Sequence, residues 1–229
     1  AALAGKYPAL LTLRADAAKA LSGLDEYVKL MDDTEKTVEI MNALRNRGTD
    51  GERAFFENAE KYVQSQEQAL EREFGESTLQ SELSDRLQKI VLGNALIGLG
   101  NLVRVANYRG QAQRNPVLLE EGLQHFSEVE STLERLKAMT FQRVNIEQLD
   151  AVMKAGTEYR SVMAEILAAW RRLDEINARR VETGRSILAL ADEVVKAGAA
   201  NSQKIADHAV GSLASTISVI LLSTAAAVL

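Results

Sequence analysis

The chain has 229 residues, 46% of them hydrophobic, which is enough for a packed core and excludes global disorder. Aromatics make up only 5% and there are two prolines, Pro8 and Pro116, so a β-sandwich or barrel is excluded in favour of a mostly helical protein. A net charge of −5 without a basic domain argues against broad nucleic-acid binding, and the absence of cysteine removes thiolate zinc sites, cysteine nucleophiles and disulfides.

Apolar residues recur at helical spacing from about Tyr7 to Phe74. Leu10, Leu13, Ala17, Leu21, Leu24, Val28 and Met31 step by three and four, which predicts a core-facing stripe. The stretch RNRGTDGER around Gly48 and Gly51 is a weak point in this helix, because interior glycine costs about 1 kcal/mol relative to alanine. Gly75 reads as a stop, with Ser77 or Thr78 as the cap of the next helix, about 79 to 113.

Asn115 with Pro116 ends that helix and starts another, about 116 to 139. Thr140 to Asn145 reads as a loop with Asn145 as a cap. The final helix then runs for about 80 residues, far beyond ordinary globular length, which implies an elongated bundle. It ends in Ala209 to Leu229, a stretch without a single charge. A membrane helix needs about 20 mostly apolar residues, so 209–229 is read as a truncated transmembrane helix and 1–208 as the domain outside it. The alternative is a buried C-terminal helix.

Shifted by 132 residues, segment 24–63 matches segment 156–195. Glu26/Glu158, Tyr27/Tyr159, Met31/Met163, Arg47/Arg179 and Arg53/Arg185 are among the identities. If this is a duplication, the first long helix lacks the helix pair that precedes the second. The expected architecture has helix 116–139 continuing in the direction of helix 79–113. The last helix then descends the full height, and two four-helix bundles are stacked with the first two helices missing. At about 1.5 Å per residue, Arg104 and Arg179 then fall at a similar depth.

The segments LVRVANYRGQAQRNPVLLEEGLQHFSEVESTLERL (Leu102 to Leu136) and EYRSVMAEILAAWRRLDEINARRVETGRSILALADEV (Glu158 to Val194) carry a resemblance. With the apolar segment that follows, they resemble the periplasmic helical bimodular sensor domain of bacterial methyl-accepting chemotaxis receptors. The resemblance implies six helices, two of them long, and a homodimer in the bacterial inner membrane with its sensor domain in the periplasm. It also implies organic-acid ligands and cytoplasmic signalling modules beyond Leu229. The family's carboxylate-binding arginine on the rising helix falls on Arg104. The one on the descending helix falls on Arg179 or Arg180, where the spacing to Gly184 leaves the register open. Tyr108 stands where the family often has a second arginine, and a further arginine pair belongs to the absent first helix.

The residues themselves allow more than one reading. Asn101, Arg104 and Tyr108 share a helix face and either line a small-carboxylate pocket or form a mixed helix contact. Arg104 sits among apolar neighbours and needs an anion, which is either a ligand or an acid on a neighbouring helix. Arg179 and Arg180, beside Asn177, are ligand-binding or solvated. Gly93, Gly98 and Gly100 permit close helix approach. With two histidines, His125 and His208, and no metal spacing, phosphate loop or catalytic cluster, the chain reads as non-enzymatic and free of metal and cofactor. The rival functions are a sensor histidine kinase ectodomain and a membrane-anchored structural or interaction protein.

Overall fold

The computed structural model describes residues 8–75 and 79–228, with side chains described for 12–75 and 79–221. Among the described residues the protein is all-α, without strands. Its helices are α1 (Pro8–Gly75), α2 (Gln80–Gln113), α3 (Pro116–Gln124), α4 (Phe126–Met139) and α5 (Arg143–Val228). They divide into two compact units, residues 35–174 and residues 1–34 with 175–229.

Residues 35–174 close a four-helix bundle by themselves, and this overturns the expected direction of the helix after Pro116. Helix α3 does not continue in the direction of α2. Gly110 lies against Leu119, and Gly122 lies against Ala106 and the Val103 carbonyl, so α3 and α4 run back along α2. The reversal is made at Arg114, which adopts a left-handed conformation with φ 50°. Asn115 N–H then closes on the Gly110 carbonyl at 2.9 Å, the closure of a helix C-terminus that turns back on itself. Pro116 stands in the first turn of α3, as the sequence predicts, and Asn115 caps the helix by accepting from Val117 N–H at 3.0 Å.

Two other caps differ. Helix α5 begins at Arg143, so Asn145 lies inside it; it is buried and accepts from Ser65 Oγ at 3.1 Å. Ser77 and Thr78 lie outside the described residues, and α2 starts after Leu79 without a side-chain cap.

All four helical segments supply the core, in an up-down-up-down order. Near the α4–α5 turn, Tyr62 and Leu96 pack with Val129, Leu133, Leu149 and Val152. Toward the α2–α3 turn, Met41, Val103, Leu119, Phe126 and Met163 pack together. Each such side chain contributes about 1.5–3 kcal/mol on burial. The weak point expected at Gly48 and Gly51 does not interrupt α1. There the missing side chains let α1 approach Val162 and Tyr159 of α5.

In the other unit, α1 and α5 form an antiparallel pair, with Gly23 against Ile187 and Gly184 against Tyr27. The predicted stripe is buried only in part. Leu13 and Ala17 are half-buried and the Leu10 side chain lies outside the described residues, but Leu21, Leu24, Val28 and Met31 are exposed, whereas Leu30 is buried and Gly23 and Tyr27 are half-buried. A heptad-like helix carries two adjacent apolar seams here, and packing selected the one containing the small Gly23.

Helix α2 is long and apolar enough, by length and composition, to cross a membrane, and 33% of its most apolar window is buried inside the protein. The bundle accounts for that burial, since Leu92, Leu96 and Val103 all belong to its core. The charge-free tail is helical through Val228 and its side chains are exposed from Ala209 to Leu221. The side chains of 222–229 lie outside the described residues.

Candidate functional site

One face of α1 carries Arg45, Gly48, Thr49 and Glu52, spaced i, i+3, i+4 and i+7. Two long charged side chains there flank two small residues, so the helix surface is hollow between them. Asn107, Tyr108 and Gln111 of α2 and Tyr159, Val162, Met163 and Ile166 of α5 close the hollow into a cavity of about 180 Å³.

A directional chain of hydrogen bonds runs around it. Arg45 Nε donates to Gln111 Oε1 at 2.9 Å, and Gln111 Nε2 donates to Asn107 Oδ1 at 2.8 Å. Asn107 Nδ2 donates to the Tyr159 hydroxyl at 3.0 Å, which donates to Glu52 Oε2 at 3.4 Å. The Tyr108 hydroxyl donates to Glu52 Oε1 at 3.3 Å. The chain starts on a guanidinium and ends on a carboxylate, so every dipole along it points the same way. Burial, with the Glu52 charge beside it, pushes the Tyr159 phenol far above its ordinary value, and the same two causes raise Tyr108. Both therefore remain hydrogen-bond donors throughout the neutral range.

The two charges at the ends are compensated unequally. Arg45 has only amide oxygens as partners, on Gln111 and on Asn42 at 2.8 Å; among the described residues no carboxylate pairs with it. Glu52 is 9% exposed. Its hydroxyl bonds are long for a carboxylate, which normally takes donors at about 2.5–2.9 Å, and Arg104 Nη1 stands off at 3.9 Å.

Of the sequence-predicted residues, Tyr108 lines this cavity; Arg104 and Asn101 do not. Asn101 Oδ1 accepts from Arg104 Nη2 at 2.6 Å, and the guanidinium lies 4.6 Å from the centre of the Phe56 ring. With Glu52 nearby, the neighbouring-helix acid is the anion that Arg104 meets. Arg104 belongs to residues 35–174 and Arg179 to the other unit. The count that set them at a similar depth took α3 as an extension of α2, whereas α3 runs back along α2.

Arg179 donates to Glu26 Oε1 at 2.7 Å and lines an open groove with Gly23, Glu26, Glu182 and Ile187. Two acids in that groove oppose a carboxylate ligand. Arg180 lies 5.7 Å from the centre of the Tyr27 ring, and its buried Nε has no hydrogen-bond partner. Arg45, Glu52, Asn107, Gln111 and Tyr159 escaped the sequence reading. The signal was present in R-N-R-G-T-D-G-E: glycines between charges of opposite sign, two turns apart on one face, mark a hollow as much as a weak helix.

Among the described residues no group of histidines and acids is arranged to hold a metal ion. Comparison with protein families, with curated proteins and with solved structures finds no match.

Proposed function

We propose that the chain is the sensor region of a membrane receptor, binding a small polar molecule inside the 35–174 bundle and passing the event along α5. The cavity carries this reading. It carries a chain of hydrogen-bonded polar side chains beside an apolar floor and holds a guanidinium without an acidic partner, which is an arrangement a stability core does not need. Its apolar floor, Val162, Met163 and Ile166, belongs to α5, a single helix from Arg143 to Val228. A ligand that packs on that floor favours one helix packing over another by its differential affinity. The charge-free tail is the matching membrane segment, and the resemblance to chemotaxis receptors supplies the output and the bacterial inner membrane with a periplasmic sensor.

The chain contains no cysteine, so single introduced cysteines report cleanly. In intact cells an impermeant maleimide labels Ser186→Cys and leaves Ser218→Cys unlabelled. Equal labelling of both overturns the membrane segment.

A homodimer belongs to the same proposal. Leu21 and Val28 on α1, with Val181, Leu188 and Val195 on α5, are exposed at seven-residue spacing, and Leu188 is 72% exposed. Two such helix pairs bury these seams against each other. Leu188→Glu shifts the sedimenting species to the monomer; an unchanged species removes the seam from the interface.

A second reading, a membrane-anchored helical interaction protein, draws on the internal pairing of Arg104 and Arg179. It predicts no saturable small-molecule binding.

A further inference from the structure

We infer that the cavity between α1, α2 and α5 takes a small aliphatic ω-amino acid, with its carboxylate on Arg45 and its ammonium on Glu52. This rests on the sensor reading and narrows it to a ligand class that differs from the organic acids implied by the sequence resemblance.

The argument is one of charge balance. The cavity holds one cation without an acidic partner and one buried carboxylate whose hydroxyl donors are long and whose one cation, the half-exposed Arg104, stands off at 3.9 Å. A dicarboxylate satisfies Arg45 and places its other end against Glu52, where like charges repel. A diamine satisfies Glu52 and meets a guanidinium. Only a molecule with one charge of each sign completes both ends, and it also lies along the hydrogen-bond chain with its dipole matched to the field between them.

The length follows from the helix. Arg45 and Glu52 are seven residues apart on α1, about 10.5 Å along the axis. Two charges two turns apart on one face call for a ligand whose own charges sit at opposite ends of a chain. A chain of two or three methylenes is the probe of that separation. Val162 and Met163 of α5 supply an apolar surface for them.

The test is calorimetric titration of the full chain in detergent with three probes on the same four-carbon frame: succinate, 4-aminobutyrate and putrescine. The amino acid binds saturably and the other two bind at least about ten-fold more weakly, the effect of losing one charge-assisted hydrogen bond of about 1.5–3 kcal/mol. Arg45→Gln and Glu52→Gln each weaken 4-aminobutyrate by a similar factor. Glu52→Gln also narrows the gap to succinate. Arg179→Gln, outside the cavity, leaves all three unchanged.

Succinate binding as tightly as the amino acid overturns the inference and leaves the sensor reading standing. Loss of binding in Arg179→Gln equal to that in Arg45→Gln moves the site away from this cavity and also overturns it. Absence of binding by all three overturns it too, and the maleimide labelling then decides separately whether the membrane reading survives. Where a variant fails to fold, the rank order of the probes on the unmodified chain decides.

Discussion

Arg179 and Glu26 form an ion pair at 2.7 Å, and the repeat equivalents of these residues, Arg47 and Glu158, form one at 2.6 Å. In each pair the arginine of one repeat meets the glutamate of the other. This reciprocity gives the 132-residue repeat a structural correlate, since antiparallel helices of like sequence present the same contact from opposite ends. The environments nonetheless differ: Tyr159 is buried in the four-helix core, whereas its equivalent Tyr27 is half-buried in a two-helix pair.

Both pairs are solvent-exposed, so neither contributes much. Arg179→Ala changes stability by less than about 1 kcal/mol. Thermal denaturation checks this, and a loss several times larger shows a role for Arg179 beyond the pair.

Gly98 and Gly100 separate packing from propensity within one helix. A Cβ on Gly100 would lie 2.5 Å from Phe55 Cε1, whereas Gly98 has nothing within 4 Å. Gly98→Ala stabilises by up to about 1 kcal/mol through helix propensity. Gly100→Ala is destabilising, because an overpacking cost of about 1–3 kcal/mol outweighs the same gain. Urea unfolding of the two variants side by side yields opposite signs.

Arg114 holds its left-handed φ at a cost of about 1–2 kcal/mol for a residue with a side chain. Arg114→Gly removes that cost and adds unfolded-chain entropy, for a net gain of about 0.5–1 kcal/mol. A fall in midpoint instead shows that the arginine side chain supports the reversal.

Tyr159 makes alkaline stability diagnostic. Its folded-state pKa is raised above the ordinary value of 10.0 by burial and the Glu52 charge. The folded protein therefore keeps the proton after the unfolded chain has lost it. Stability is fully present below about pH 10 and falls as pH rises beyond it. Tyr159→Phe costs about 1–3 kcal/mol at neutral pH by unpairing Asn107 and Glu52, yet its stability declines less steeply above pH 10. Tyr62, also raised by burial, sustains a residual slope. Parallel alkaline slopes for the two proteins, measured by chemical denaturation, remove Tyr159 from the titration.

The helical class, the break at Asn115–Pro116 and the turn near Thr140 were legible in the chain, because propensity, proline geometry and capping act over a few residues. Direction was not. A proline break permits both continuation and reversal, and the reversal rests on Arg114 with Gly110 against Leu119, a contact between residues nine apart. Periodicity likewise shows that α1 has an apolar face without showing which seam meets α5, since Leu24 and Gly23 differ by one position and only packing distinguishes them. The arginines follow the same rule. Sequence singles out Arg104 and Arg179 as candidates for an anion and passes over Arg45. Tertiary structure brings Glu52 and Glu26 to the first two and only amide oxygens to the third, because charge compensation is set by distances in space.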